Sequence, residues 1–402
     1  DLDKLEEAEI CYKKAIELNP NFTDAYYNLA NALKDLDRLE EAEVSLKKAI
    51  ELKPDYTEAY TSLGNIQQIT GRIDEAEVSY RKAIELQPDS FEAYNNLANS
   101  IKEIGKADEA IACYRKAIEL KPDYEQSHYN LGLALYESHK FKEAIEEFKL
   151  NDFKNSKDFI LKCLFKLDEQ NLFFKELDAI PDQSKINAVI GSLISRAEVQ
   201  FKTNRENLFC KNPLNYILHS NLTESCDFKS IFVKTIKDFL SNVKLKHKSQ
   251  GLLTNGYQTA GNIFLREKSF IDVIQKTIRL EIDKYRTHFK DSEEGFLKNW
   301  PSNYDLNGWL IKMKSGGSLS AHMHETGWVS GSLYINVPPK LKADSGNLVV
   351  CIDEKNDLEE NKKSIDVVTG SLCLFPSSLL HYTIPFDSEE ERIVLAFDVI
   401  PK

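Results

Sequence analysis

Residues 82–88 read Lys82-Ala83-Ile84-Glu85-Leu86-Gln87-Pro88, and the same phrase, varied only at its sixth position, ends at Pro20, Pro54 and Pro122. The four prolines are therefore spaced 34 residues apart. A period of this length accommodates two short helices and their turns. Because proline cannot continue the hydrogen-bond ladder of a helix, each phrase predicts the end of the second helix of a pair.

Three further sets of positions keep this period and predict how the helices pack, with small residues where helices approach and larger ones filling the gaps between pairs. They are Ala8, Ala42, Ala76, Ala110 and Ala144; Tyr12, Leu46, Tyr80, Tyr114 and Phe148; and Leu29, Leu63, Leu97 and Leu131. The pattern resembles the tetratricopeptide repeat, which implies an N-terminal all-α tetratricopeptide solenoid over residues 1–150. Asp1–Lys4 take the place of a turn between helices, so we expect the array to be N-terminally truncated, by an unknown number of repeats.

Asparagines recur on the first helix of each predicted pair. One interpretation is a row of amides that holds an extended peptide, as the similar array of O-GlcNAc transferase is understood to do. The alternative is a solvated polar face with nothing bound. We expect a protein or peptide partner in this groove, although the sequence does not say whether it is the substrate. The candidate contact residues are Asn28, Asn31, Asn65, Asn96, Asn99 and Asn130.

The repeat is lost after residue 150, and the pattern of apolar and polar residues changes again near residue 206. Residues 151–205 keep helical periodicity and predict a capping or connecting segment. In residues 206–402, helical stretches precede many short alternating segments separated by turn residues, among them Gly316-Gly317 and Thr369-Gly370. Such spacing predicts a jelly roll with flanking helices. The expected fold class is therefore a multi-domain α + β chain.

Histidines in the last segment have the spacing of metal ligands. His322 and His324 are two residues apart, His381 follows fifty-nine residues after His322, and Arg392 comes eleven residues later. This order is that of mononuclear iron sites with open coordination positions: two neighbouring histidines, a distant third histidine and a basic residue beyond it. Histidines on alternate positions of a strand also point to the same side.

Residues from roughly 305 to 400 resemble the double-stranded β-helix of 2-oxoglutarate- and Fe(II)-dependent oxygenases, specifically a bacterial and phage-type branch. The resemblance rests on segments 322–324, 334–336, 346–350, 370–376 and 391–394. It implies a hydroxylating dioxygenase that uses Fe(II), 2-oxoglutarate and O₂. It further implies that His322, His324 and His381 are the metal-binding and catalytic residues, and that Arg392 and Tyr334 bind the distal carboxylate of 2-oxoglutarate.

The family has a carboxylate two residues after its first histidine, whereas this chain has His324. His324 is the favoured third ligand, but Glu325, Asp353 or a water molecule remain alternatives. Aspartyl/asparaginyl β-hydroxylase-like enzymes hold iron with two histidines and water, and they also carry tetratricopeptide-like helices. Two other functions stay open, namely a non-catalytic interaction scaffold with a degenerate oxygenase domain and a cupin-type dioxygenase without co-substrate.

The composition argues against two classes of partner, nucleic acid and membrane. The net charge of −12 disfavours nucleic acid, since phosphate binding needs an excess of basic residues. No apolar run approaches the roughly 20 residues of a membrane helix, so we expect no membrane partner. The seven cysteines are scattered, which favours reduced thiols and a cytoplasmic protein. The substrate, the hydroxylated position and the oligomeric state are beyond what the sequence predicts.

Overall fold

The computed structural model describes residues 2–150, 153, 155–242, 247–248, 251–265, 268–355 and 358–402. By its internal contacts the chain divides into two units, Asp1–Glu176 and Leu177–Lys402. This division falls within a helix, whereas the predicted segments meet at residues 150/151 and 205/206. Residue 151 lies outside the described residues, and the organisation into three segments stays a prediction.

Paired helices make up the first unit, as the period predicts. Each second helix ends two residues before a proline of the repeated phrase, for example at Leu52 before Pro54. The recurring Ala42, Ala76 and Ala110 are fully buried where the helices meet. The helices are α1 (Leu2–Leu18), α2 (Thr23–Asp35), α3 (Leu39–Leu52), α4 (Thr57–Ile69), α5 (Ile73–Leu86), α6 (Phe91–Glu103), α7 (Ala107–Leu120), α8 (Glu125–Glu137) and α9 (Phe141–Lys149).

The turn predicted at Asp1–Lys4 is wrong, because α1 already begins at Leu2. In the equivalent turn of the next repeat, Asp37 N–H donates to Lys34 and Arg38 N–H donates to Leu33 of the preceding helix. Residues 2–4 instead form the first residues of α1.

Four helices follow the repeats, and their positions confirm the helical character of the connecting segment. They are α10 (Ser156–Lys166), α11 (Gln170–Asp178), α12 (Asp182–Lys185) and α13 (Ala188–Phe201). Pro181 stands directly before α12, where its missing N–H costs no helical hydrogen bond. Three more helices lie farther along the chain, α14 (Thr235–Asn242), α15 (Lys268–His288) and α16 (Gly295–Lys298). Among the described helices, none combines the length and the apolar character that a membrane crossing demands.

Antiparallel strands form a barrel-like sheet in the second unit, which confirms the predicted jelly roll. The hydrogen-bonded order is β1-β8-β5-β10-β4-β9-β6-β7, with β3 joining β2 to β4. The strands are β1 (Leu218–Asn221), β2 (His247–Lys248), β3 (Leu253–Thr259), β4 (Tyr304–His322), β5 (Val329–Asn336), β6 (Leu348–Cys351), β7 (Lys362–Ile365), β8 (Ser371–Pro376), β9 (Leu380–Thr383) and β10 (Arg392–Pro401).

Successive side chains of β10 enter two different hydrophobic clusters, one on each face of the strand. Leu395 and Phe397 point to a cluster that includes Ile278 and Ile282 of α15. Val394 and Ala396 point to the other face, into a cluster shared by β4, β5, β6 and β8. Because successive side chains of a strand face opposite sides, Arg392 and Asp398 share the face of Val394 and Ala396. The candidate site lies on that inner face.

Candidate metal centre

Strand register brings two of the three histidines together. His322, the last residue of β4, stands opposite His381 of β9, and their ring centroids are 4.3 Å apart. His324 lies two residues beyond the end of β4, with its ring centroid 5.2 Å from His322 and 4.8 Å from His381. The candidate ligand atoms of all three side chains lie within 4.8 Å of one another.

Hydrogen bonds orient two of the rings. His322 Nδ1 is 2.8 Å from the carbonyl oxygen of Ser320, and His324 Nδ1 is 2.6 Å from Asp398 Oδ1. Since a carbonyl or a carboxylate can only accept, both Nδ1 atoms carry the proton. The Nε2 atoms of the two rings face each other at 3.3 Å, and in the Nδ1–H tautomers each of them carries a lone pair. Two lone pairs at this separation are stabilised by a cation between them.

Burial disfavours the charged form of His322 and His381. His381 is only 4% exposed, and desolvation together with the neighbouring His322 and His324 lowers its pKa well below the usual value. Desolvation, followed by the neighbouring His324, lowers the pKa of His322 to about 4. Neutral imidazole is the form that binds a metal, so His322 and His381 are in the ligating state at neutral pH.

Arg392 is buried on the same inner face with most of its hydrogen-bonding capacity unused. Its side chain is 1% exposed, and Nη1 donates to the carbonyl oxygen of Gly346. Nε and Nη2 are buried without a partner among the described residues. The guanidinium carbon is 4.9 Å from the ring centroid of Tyr334, and burial lowers the Arg392 pKa while raising that of Tyr334. A guanidinium stays charged in proteins, and no carboxylate of the described residues forms an ion pair with this one.

Gly346 leaves space for the guanidinium of Arg392. Its φ of +72° is rarely adopted by other residues, and a Cβ there would lie 2.6 Å from Arg392 Nη1. Glycine therefore supplies both the turn before β6 and the room for the guanidinium.

A narrow cavity of about 20 Å³ lies between the histidines and Tyr334. Such a volume holds about one water molecule. Arg392 does not line the cavity itself, but Tyr334 does, along with Val394 and Ala396 of the same strand face. A five-carbon keto acid therefore needs the lining side chains to move before it can reach Arg392.

The residues present fit both groups that the sequence predicts. Three neutral imidazoles suit a divalent metal such as Fe(II), and they leave further positions of an octahedral ion open. The two orphaned donors of Arg392 have the fork geometry that pairs with a carboxylate. Both features lie on one face of the barrel, at different ends of it.

The carboxylates named as alternative ligands are not part of the cluster. Among the described residues, only His322, His324 and His381 form a group with metal-binding spacing in this domain. Glu325 is exposed, and Asp353 Oδ1 instead accepts a hydrogen bond from the Lys355 N–H.

Sequence reasoning missed several polar residues at this site. Asp398 and Ser330 contact His324, and Ser377 contacts Ser330. Gln258 of β3 lines the cavity, and its Oε1 is buried without a partner in the described chain. Only strand register brings these residues near the histidines, and no local motif marked them.

The asparagines of the repeats lie half-buried on the first helix of each pair, α2, α4, α6 and α8. Asn65 Oδ1 accepts from Tyr80 Oη at 2.7 Å and from Asn96 Nδ2 at 3.1 Å. Asn99 Oδ1 accepts in the same way from Tyr114 Oη at 2.6 Å and from Asn130 Nδ2 at 3.2 Å. Within the described structure, the Nδ2 groups of Asn65 and Asn99 donate to nothing in the chain.

Comparison with known families agrees with this architecture. Residues 307–398 match the model of the family described as "Putative 2OG-Fe(II) oxygenase", a span that includes all three histidines, Tyr334, Arg392 and Asp398. Tetratricopeptide-repeat models match residues 11–44, 30–68, 57–90, 79–112 and 99–138. The chain is thus a tetratricopeptide-repeat array joined to a domain of that 2-oxoglutarate/Fe(II) oxygenase family.

Several solved structures are similar to parts of the chain. MamA is 29% identical, with 36% of this chain and 85% of that chain covered and a TM-score of 0.35. YrrB, described as a TPR protein with an unusual peptide-binding site, is 22% identical over 42% of this chain and 89% of its own, with a TM-score of 0.38. PilF of Pseudomonas aeruginosa is 17% identical over 50% and 86%, with a TM-score of 0.40. No curated protein matches the chain.

Proposed function

We propose that the C-terminal domain is a 2-oxoglutarate- and Fe(II)-dependent dioxygenase that hydroxylates a protein or peptide bound by the repeats. The observation that carries this proposal is the combination of three converging imidazoles with an unpaired, buried guanidinium on the same inner face. A structural role alone leaves the cost of burying that charge without compensation.

The protein's own groups perform separate tasks in this proposal. His322, His324 and His381 hold the metal through neutral nitrogens, and the apolar walls of the barrel exclude water. Arg392, with Tyr334 beside it, takes the distal carboxylate of the keto acid. Fe(II) with 2-oxoglutarate supplies the activation of O₂ that hydroxylation of a C–H bond requires.

The repeats offer donors for an extended partner. The oxygens of Asn65 and Asn99 are occupied by tyrosine and asparagine donors, while their amide nitrogens donate to no group of the described chain. Backbone carbonyls of an extended peptide are acceptors that recur along a chain. This arrangement supports a peptide partner at the asparagine row, which also includes Asn28, Asn31, Asn96 and Asn130.

Arg392→Ala tests the co-substrate directly. We expect it to weaken binding of 2-oxoglutarate by about 1.5–3 kcal/mol, roughly 10- to 150-fold, because a charged hydrogen-bond donor is lost. Anaerobic titration with Fe(II) present measures the affinity, and succinate formation measures turnover. Arg279→Ala is a matched control, because its guanidinium also lies over a tyrosine ring, at 4.7 Å from Tyr304, but outside the site.

The same experiment separates the alternative functions. Metal binding without any 2-oxoglutarate binding contradicts the proposal and favours a co-substrate-independent dioxygenase, to which the all-histidine ligand set is also suited. Absence of both metal binding and succinate formation favours a non-catalytic scaffold.

A further inference from the structure

Asp398 is a buried carboxylate directly behind His324. It lies on β10, is 3% exposed, and stands opposite Ser330 of β5. Its Oδ1 accepts hydrogen bonds from His324 Nδ1 at 2.6 Å and from Ser330 Oγ at 2.8 Å. Ser377 Oγ lies 2.8 Å from Ser330 Oγ, and since Ser330 donates to Asp398, Ser377 is the donor of that second bond.

The surroundings of Asp398 leave its charge to be balanced at the histidine centre. Among the described residues, its single ion-pair partner is His324, and no lysine or arginine reaches it. Gly327 packs so close that a Cβ there would be 3.1 Å from Asp398 Oδ1, which leaves little room for water. A buried carboxylate is costly unless a positive charge compensates it.

We infer that Asp398 is a positioning residue for the metal centre, which rests on the proposed function. It fixes His324 as the Nδ1–H tautomer, so that the Nε2 lone pair points at His322. It also places a negative charge behind the ring of His324, on the side away from His322. A hydrogen-bonded carboxylate raises the basicity of a ligating histidine and holds its ring in place.

Asp398→Asn tests this role, because it removes the charge and preserves the shape. The asparagine oxygen can accept from Ser330 while its NH₂ donates to His324 Nδ1, which reverses the tautomer of His324. We expect ¹⁵N spectra of the metal-free full chain, labelled at histidine, to show Nδ1–H at His324 in the parent and Nε2–H in the variant. Anaerobic titration with Co(II) and Fe(II) should show affinity lowered 10- to 100-fold.

Asp353→Asn is the matched control, because Asp353 is a buried carboxylate of the same unit, 7% exposed, that lies outside the cluster. It should leave both measurements unchanged within twofold. An Asp398→Asn protein with the parent's tautomer and metal affinity overturns the inference. If that variant does not fold, Ser330→Ala decides, because loss of the bond to Asp398 should lower Co(II) affinity at least threefold, and an unchanged affinity overturns the inference.

The two proposals fail in different ways. A parent protein that binds neither Co(II) nor Fe(II) contradicts the proposed function. It also contradicts the part of the inference in which the charge of Asp398 supports a bound metal. The tautomer measurement in metal-free protein still decides whether Asp398 orients His324.

Discussion

In the proposed metal centre, His324 offers an imidazole rather than a carboxylate, and this decides where negative charge stands. A carboxylate ligand brings its charge into direct contact with the ion, whereas three neutral imidazoles bring none. Asp398, 2.6 Å from His324 Nδ1, places a carboxylate one residue farther from the centre. The carboxylate of Asp398 therefore lies on the inner face but on the far side of the His324 ring from His322.

The lowered pKa values of His322 and His381 predict how the stability of the metal-free protein depends on pH. Both rings stay neutral in the folded state, while the unfolded chain takes up protons below about pH 6.5. The unfolded state then binds more protons, so the free energy of unfolding falls as the pH is lowered. With a pKa of about 4, His322 alone should cost about 1–2 kcal/mol between pH 7.5 and 5.

Tryptophan emission during denaturant unfolding with a chelator present measures this effect, because Trp300, Trp309 and Trp328 all lie in the second unit. Paired carboxylates of the repeats contribute little in this range. Pairing lowers their folded pKa values, to about 2 for Glu43, and above pH 5 they are mostly ionised in the unfolded chain as well. His381→Gln should show a weaker pH dependence than the parent. Equal stability of the parent at pH 7.5 and pH 5 would contradict neutral, buried histidines.

At the scale of single residues, the sequence predicted which histidines lie together but not the polar residues around them. His322, His324, His381 and Arg392 follow one another in the order of a known chemistry, which a linear reading can detect. Asp398 approaches His324 only because β10 and β5 pair with Ser330 opposite Asp398. That register is set by packing across the whole sheet, and a shift of one residue would turn Asp398 to the other face.

At the scale of elements, β4 shows why the turn prediction at Gly316-Gly317 is wrong. The strand runs continuously from Tyr304 to His322, although Gly316 has a φ of +73°. Its first half pairs with β10 and its end reaches β9, while the Gly316 N–H donates to Phe386. The glycines bend the strand from one part of the sheet to another rather than ending it, and this bend carries His322 to His381.

Gly331 of β5 packs against a buried ring, so a substitution at this position tests how tightly this part of the sheet is packed. A Cβ at position 331 would lie 2.2 Å from the ring of Phe397, which is fully buried on β10. We expect Gly331→Ala to lower the free energy of unfolding by about 1–3 kcal/mol, measured by tryptophan emission, because an overpacked core must shift. Gly251→Ala is the control, since nothing lies within 4 Å of its Cβ, and it should change stability by less than about 0.5 kcal/mol. A neutral Gly331→Ala would show that β5 and β10 can separate without cost.

At the scale of the whole molecule, the periodic part was the easiest to predict. Its contacts join residues about one repeat apart, so Ala42, Leu46 and Ala49 are all fully buried, as the 34-residue period predicts. The barrel depends on pairings such as Leu218 with Leu374, which lie far apart in sequence. Its strands were predicted from local alternation, but their order was not.

The proposed division of labour between repeats and barrel predicts that binding of a peptide and use of 2-oxoglutarate can be separated. Asn65→Asp with Asn99→Asp keeps the oxygens that accept from Tyr80 and Tyr114 but removes the free amide donors. Loss of two hydrogen bonds should weaken peptide binding by about 1–3 kcal/mol and so lower peptide hydroxylation roughly 5- to 150-fold across a randomised synthetic peptide library. Succinate formed without peptide should not change, because that reaction uses only the histidine centre and Arg392.

Asn19→Asp with Asn21→Asp is the matched control, because it adds the same two charges at exposed turn positions of the repeats. This control should retain the parent's yield of hydroxylated peptide, measured by the mass of one added oxygen. If the Asn65/Asn99 variant hydroxylates the library as well as the control, the asparagine row does not recruit the substrate. If it loses succinate formation without peptide, the repeats act on the barrel itself, and the separation of the two tasks is wrong.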